Sequence, residues 1–283
     1  MAKQYVDIVW DPKRHRKNAD VSINSNINYE IPACTRGVDM LLAKFKGEAY
    51  QTEVRFEVAH SNTVPKLSKP LSQAQIAFVT DGGLVPKGNP DSMPPISADK
   101  FCIYSFYGAK SLDAEEYTVV HQGYDNHFIM ADPNRLIPLD AACNAVEEGK
   151  IAKVFDLFYS TTGVMTPVEK GKEFGRKISS SVRNSNIDGV IVISTCGTST
   201  RCGAYIACEI EKAGIPVVHV TNLVQISEWV GCSRILEGNA VCHVFGNPDL
   251  SKEQELEYRK ILLGKALNLL AQNPPHNSCI IVQ

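Results

Sequence analysis

The sequence predicts an α/β fold: mostly parallel open sheets with flanking helices, Rossmann-like, behind an irregular N-terminal extension. Three observations predict it. Short β-branched runs alternate with helix-period stretches from residue 75 to 271. The clearest run, Val190 to Ile193, stops at a small-residue stretch, CGTSTRCGA, that opens a helix. Residues 189 to 221 then read strand, helix, strand, with a helix of eight to ten residues, the pattern of a parallel crossover. The organisation expected is an N-terminal extension over 1–70 and an α/β domain over 71–283, divisible into Rossmann-like halves at about 71–165 and 166–283.

Composition narrows the function classes. The formal charge is −2, from 29 Lys and Arg against 31 Asp and Glu, which gives no global attraction to nucleic acid or an anionic membrane. No window reaches the roughly 18 uninterrupted apolar residues of a spanning helix. The first residues, MAKQYVDIVWDPKRHRK, hold no signal-peptide apolar core, so the expected location is the cytoplasm. Nine cysteines, an odd set without disulfide rhythm, fit a reducing compartment with mostly free thiols. No C-x-x-C pair occurs, and His219 and His243 are not at zinc-finger spacing.

The elements follow in order. The basic cluster Lys13 to Lys17 reads as a solvated arm, because no aromatic residues interleave with it. Val38, Leu41, Leu42 and Phe45 stand at helical spacing, with Gly47 as the stop. Pro65 and Pro70 mark a linker. IAFVT (76–80) reads as a strand that turns at Asp81-Gly82-Gly83, where backbone amides could meet an anion or merely make the turn. Residues 116–140 pack His121, Tyr124, Asp125, His127, Asp132 and Arg135 into a Gly- and Pro-punctuated segment, read as substrate-pocket or hydrogen-bonded loop residues rather than a metal site. Asp140 is expected to cap a short helix. VFDLFYSTTG reads as a strand entering a polar loop, and Thr166-Pro167-Val168-Glu169 as a capping box. Phe174, Ile178 and Val182 share one helix face. His219, inside the strand IPVVHVTN, reads as a satisfied core histidine rather than a base. NAVCHVFGNPDL reads as a short strand and turn, and Ser251 with Gln254 caps a last helix carrying Leu256, Leu263, Leu267 and Leu270. Neither G-x-G-x-x-G nor a phosphate-binding lysine loop occurs.

Chemistry concentrates at the two cysteines of CGTSTRCGA. A thiol at Cys196 would feel the partial positive charge and free amides of the following helix, and Arg201 nearby; both favour the thiolate. Cys202 could resolve an oxidised partner if the loop curls back, and CGTS has the C-x-x-S form of one-thiol redox sites. The alternative is a tight loop with inert buried thiols. Placement at a strand's carboxyl end favours the redox reading.

VTDGGLVPKGNPD, the H-x-G-Y-D segment with ADPNRLIPLD, FYSTTG, STCGTSTRCGA, IEKAGIPVVHV and GNPDLSKEQE together resemble the selenoprotein B component of glycine, sarcosine and betaine reductases. The selenoprotein subunit of D-proline reductase is similar at greater distance. The resemblance covers roughly residues 30 to 270 in the same order. It implies that Cys196 stands at the family's selenocysteine, that the next redox cysteine falls at Ser199, and that the last falls at Cys202. Gln122 stands where the family usually has a second Gly, and FYSTTGVMT replaces a Gly- and Asn-bearing loop, so the substrate need not be glycine. The family's larger members also carry a longer N-terminal part.

The resemblance further implies an oxidoreductase, of the class that acts on X–H and Y–H to form an X–Y bond with a disulfide as acceptor. It would be an anaerobic reductase that cleaves the C–N bond of a small amino acid or its N-methylated derivative. Cys196 is then the nucleophile and Cys202 the resolving thiol. Substrate contacts fall to His121, Tyr124, Asp125, Arg201, Gly197 and Thr198, and no metal is expected. This chain would bind no cofactor itself. Its partners would be a proprotein subunit bearing a pyruvoyl group and a small selenoprotein A-like or thioredoxin-like carrier. Two alternatives stand: a reductase of a different C–N, C–S or ring substrate, and a non-catalytic assembly subunit.

Overall fold

A computed structural model describes residues 21–23, 27–53, 64–274 and 280–282. The basic cluster at 13–17 lies outside them. The chain divides into two compact units, Met1–Glu57 and Val58–Gln283.

In the first unit, strand β1 (Val21–Ile23) pairs in parallel with β2 (Tyr50–Thr52), and helix α1 (Ala33–Lys46) lies between them in sequence. Gly47 ends α1 in the left-handed region, at φ 74°, as its place after the apolar stripe predicts. No residue of α1 is buried.

The second unit is built on one seven-stranded sheet. Its strands are β3 (Gln75–Thr80), β5 (Cys102–Ser105), β7 (Lys153–Ser160), β8 (Gly189–Ile193), β9 (Val217–Thr221), β10 (Arg234–Glu237) and β11 (Ile280–Val282). The order across the sheet is β11-β10-β9-β8-β3-β7-β5, and only β5 runs antiparallel. Strands from both expected halves, 71–165 and 166–283, thus share one sheet. A two-stranded antiparallel ribbon, β4 (Leu84–Pro86) with β6 (Tyr117–Val119), stands beside it. Every residue of β8 and β9 is buried, so their unbroken apolar runs report a sheet covered on both faces.

Helices α2 (His127–Ala131), α3 (Leu139–Glu147), α4 (Val168–Asn184), α5 (Gly197–Lys212), α6 (Val224–Val230) and α7 (Lys252–Ala271) complete the unit. Phe174, Ile178 and Val182 of α4 pack with Tyr205 and Ile206 of α5 in one core layer, while α3 and α7 contribute to the layer built around Phe78 and Phe158. Ser251 and Gln254 close the expected capping box on α7, and Leu263, Leu267 and Leu270 are buried below it, with Leu256 half-buried. Among the described residues no helix is long and apolar enough to cross a membrane.

Several local expectations need correction. The crossover helix α5 has 16 residues rather than eight to ten, because it begins at Gly197, directly after Cys196. Thr198, Ser199, Arg201 and Cys202 are therefore helical residues, not loop residues. Thr166 makes no capping box: its hydroxyl donates to Thr162 O and accepts from Ala98 N, so it ties loops together while Pro167 starts α4. Asp140 lies inside the first turn of α3, after Pro138 as cap, and its carboxylate pairs with Arg259. Residues 239–246 form turns and no strand. Their polar groups close on one another, with Asn239 N donating to Val244 O and the Asn239 amide to Gly246 O.

Candidate active site

The carboxyl ends of the central strands carry a common signature: Thr80 closing β3 with Asp81 next, Ser160 closing β7 with Thr161-Thr162 next, Ser194-Thr195 after β8, and Thr221 closing β9. Each of these residues is buried, so the sheet's functional edge is a sealed polar layer rather than an open cleft. Backbone bonds stitch the loops together: Asp81 N donates to Ile193 O at 3.3 Å, Thr161 N to Thr80 O at 3.0 Å, and Gly163 N to Asp81 O at 2.8 Å. A side chain at Gly163 would put its Cβ 2.6 Å from Ser199 Cα and 3.0 Å from Asp81 Cγ, so only glycine lets the β7 loop approach the start of α5.

Cys196 is the N-cap residue of α5, extended at φ −71° and ψ 178°, with the free amides of the first helical turn beside it. It is half-exposed. Its sulfur lies 3.9 Å from His121 Nε2 and 3.8 Å from Thr198 Oγ1. His121 is fully buried, and Gly123 N–H donates to its Nδ1 at 2.9 Å. That bond assigns the tautomer: in the neutral ring the proton sits on Nε2. Nε2 in turn lies 2.7 Å from Ser199 Oγ, which accepts from it. Burial holds the His121 pKa down at about 4, so the ring is neutral at physiological pH. His121 is thus a hydrogen-bond donor poised between a serine and a thiol. It has no free lone pair with which to deprotonate either.

The other sequence candidates fall into three groups. Tyr124 joins the site: its ring lies 4.8 Å from that of His121, and its hydroxyl donates to Gly82 O at 2.8 Å. Burial pushes its phenol well above the usual value, which keeps it protonated. Gly197 and Thr198 form the first turn beyond Cys196, and Thr198 Oγ1 accepts from Met165 N at 3.1 Å. Arg201 turns to the β7 loop, donating to Thr166 O at 3.2 Å while its Nε has no hydrogen-bond partner. Asp125 stands on the surface instead, accepting from His127 Nδ1 at 2.9 Å, and that bond lowers its pKa.

Cys202 sits on the second turn of α5, 1% exposed, where its sulfur lies against Gly171 of α4. Burial pushes its thiol well above the ordinary value. The structure does not turn it toward Cys196. Among the described residues no group of three or more His, Cys, Asp or Glu is arranged to hold a metal ion.

Sequence reasoning passed over Asp81, Ser194 and the contact role of Ser199. A signal was present: hydroxyl residues end β3, β7, β8 and β9 alike, where an exposed turn would vary.

Comparison with known proteins shows the family. The family described as Glycine/sarcosine/betaine reductase selenoprotein B matches residues 12–195, a stretch that ends one residue before Cys196. The glycine reductase complex component B subunit gamma of Carboxydothermus hydrogenoformans is 43% identical over 88% of this chain and 57% of its own length. The betaine reductase complex component B subunit beta of Peptoclostridium acidaminophilum is 40% identical over 84% and 55%. The D-proline reductase subunit gamma of Acetoanaerobium sticklandii is 24% identical over 65% and 74%. The chain therefore spans little more than half the length of these glycine and betaine reductase subunits. No solved structure matches.

Proposed function

Because the chain belongs to the glycine/sarcosine/betaine reductase selenoprotein B family, we propose that it is a subunit of a reductase complex in which Cys196 cleaves the C–N bond of a small amino acid or its N-methylated derivative. The observation that carries this reading is the position of Cys196. It caps α5 at the carboxyl end of a buried parallel strand, with a neutral imidazole N–H 3.9 Å from its sulfur. The relatives' names supply the reaction class: they are components of glycine, sarcosine and betaine reductase complexes.

In this reading the Cys196 thiolate attacks the α-carbon. A carbon–sulfur bond forms, the carbon–nitrogen bond breaks, and its electron pair leaves on nitrogen, which takes a proton. The first amides of α5 favour the anion before attack, and the His121 Nε2–H can turn to the sulfur from Ser199. Tyr124, protonated and anchored on Gly82, lies against the His121 ring and helps to hold it in place. A pyruvoyl group on a partner subunit would activate the amine when the complex is assembled. The alkyl group then passes from the Cys196 thioether to a small selenoprotein A-like or thioredoxin-like carrier, which frees the Cys196 thiolate, and a dithiol on the carrier side supplies the two electrons of the reduction and ends as a disulfide. Cytoplasmic location belongs to the same proposal.

Alkylation tests it. Iodoacetamide near neutral pH should label Cys196 at least about tenfold faster than Cys242 and Cys102, which are also half-exposed. Equal rates would remove the activated nucleophile. A second reading, a non-catalytic assembly subunit, has one observation in its favour: Ser199 stands where a second redox thiol is expected, and Cys202 is sealed. Retained turnover of a reconstituted complex carrying Cys196→Ser would select it.

A further inference from the structure

Beginning two residues before Cys196, and outside the side-chain contacts used above, lies a second polar constellation. Asp81, Ser194, His219 and Ser227 are all 0% exposed. Ser194 Oγ donates to Asp81 Oδ2 at 2.7 Å and lies 2.8 Å from His219 Nε2. His219 Nδ1 lies 2.7 Å from Ser227 Oγ. A carboxyl and an imidazole are therefore joined through one hydroxyl, and the imidazole's far side is held by another. The opposite carboxyl oxygen, Asp81 Oδ1, has no hydrogen-bond partner.

Gly203 N, Thr195 N and Ser199 also approach the Asp81 carboxyl, yet burial outweighs all of these donors, and Oδ1 keeps no hydrogen bond of normal geometry. A proton on Asp81 removes the difficulty, and Ser194 can pass it on. If the carboxyl donates to Ser194 Oγ, the hydroxyl donates to His219 Nε2. If Ser194 donates to the carboxylate, it accepts from the imidazolium. The two arrangements hold the same proton and the same zero net charge, and full burial selects the first, which separates no charge. Burial drives the Asp81 pKa well above the carboxylate range, opposed by its hydrogen bonds, the Ser194 bond foremost.

The setting links this trio to Cys196. Ser194 precedes Cys196 by two residues, and Ser199, which accepts from His121, reaches Asp81 O at 3.5 Å. The helix α5 crosses it at Gly203, where a Cβ would stand 2.0 Å from Ser194 Oγ, 2.6 Å from Asp81 Oδ2 and 3.0 Å from His219 Nε2. The titratable neighbours come from three sides. They are His121 and Tyr124 from the 120–126 segment, Cys196, Arg201 and Cys202 from α5, and Cys232, 3.8 Å from His219 Nδ1.

We propose that Asp81, Ser194 and His219 hold one proton in common, and so act as a positioning unit that keeps the strand-end layer preceding Cys196 free of net charge. A bare carboxylate there would oppose the thiolate through a medium of low dielectric. The shared proton lets an acidic, hydrogen-bonded anchor tie β3, β8 and β9 together without that opposition. The coupling to Cys196 rests on the function proposed above; the proton sharing does not.

Infrared difference spectroscopy of the whole chain tests the sharing. At pH 7 the protein should show a protonated carboxylic acid carbonyl band that Asp81→Asn removes and Ser194→Ala moves to higher frequency, since its hydrogen bond is gone. Glu211, held up at about 7, contributes a band of its own that both variants leave in place. A spectrum unchanged by Asp81→Asn overturns the proposal, as does a band indifferent to Ser194→Ala. Should Asp81→Asn fail to fold, His219→Gln must still shift the band. Iodoacetamide labelling tests the coupling: whatever the absolute rate, the ratio of the Cys196 rates at pH 8 and pH 6.5 should be the same in Asp81→Asn as in the wild type, because an uncharged residue replaces an uncharged pair. A ratio that falls in the variant would reveal a carboxylate and overturn it. If Cys196 is unreactive in every form, the proposed function fails while the infrared bands still decide the proton.

Discussion

Two thiols on one helix, six residues apart, meet opposite surroundings. Cys196 caps α5, half-exposed, with helix amides and an imidazole N–H at hand. Cys202, one and two-thirds turns later, is 1% exposed, faces Gly171 of the neighbouring helix, and has its thiol pushed up by burial. The same residue type in the same short motif is a candidate nucleophile at one place and packing at the other. The helix explains why. It starts at Gly197, so position 196 inherits the free N–H groups of the first turn, and position 202 has already rotated into the α4–α5 core layer.

The sharpest test of that contrast replaces each sulfur. Cys196→Ser should lower turnover of a reconstituted complex by at least about 10³-fold, since a hydroxyl is a far weaker nucleophile near neutral pH. Cys202→Ala should keep turnover within about threefold and cost about 1–2 kcal/mol of stability for the small void it leaves. A Cys202→Ala enzyme that stalls after one turnover would restore the resolving role that the sequence assigns to it.

The second test breaks the contact that seats the helix. Gly203→Ala forces a methyl to 2.0 Å from Ser194 Oγ, and overpacking of this kind costs about 3 kcal/mol. In a domain of this size that lowers Tm by about 6–12 °C. Gly264→Ala on α7, whose Cβ would meet nothing within 4 Å, should instead leave Tm unchanged or raise it slightly. Equal outcomes for the two glycines would show that α5 is not held as closely as described.

The sequence made the scaffold legible and left half of the site hidden. β3, β7, β8 and β9 declared themselves through short runs rich in apolar residues, most β-branched in β8 and β9, and α4 through Phe174, Ile178 and Val182. Both signals follow from burial, which one-dimensional periodicity records. The start of α5 did not declare itself: Gly, Thr and Ser are poor helix formers, so GTSTR reads as loop until the N-cap geometry of Cys196 is seen. Asp81, Ser194 and His219 were equally obscure, because their meaning lies in contacts between residues up to 113 positions apart, across β3, β8 and β9. His219 as a satisfied buried histidine was legible; the carboxyl at the other end of its hydrogen-bonded chain was not.

A third test uses pH on the Cys196 side. His121 is held at about 4 against an ordinary 6.5, so the folded state favours the neutral ring. That contribution is complete above pH 6.5 and is lost as pH falls toward 4, because the unfolded chain binds the proton first. The gap corresponds to roughly 3 kcal/mol at most. The stability difference between wild type and His121→Gln, from denaturant titrations at pH 7 and pH 4.5, should shift in favour of the variant at the lower pH. A difference independent of pH would mean that His121 is open to water, and the tautomer argument at Cys196 would go with it.

The smallest effect separates Asp125 from its neighbours in sequence. His121 and Tyr124 turn inward to Ser199 and Gly82, whereas Asp125 turns out and bonds the exposed His127. Water screens such a surface pair, so Asp125→Asn should leave Tm unchanged within error and alter the Cys196 labelling rate by less than about twofold. Tyr124→Phe, one residue earlier, removes the donor to Gly82 O and should slow labelling measurably more than Asp125→Asn does. If the order is reversed, the pocket opens on the Asp125 side, and the candidate site must be redrawn to include the surface that this carboxylate faces.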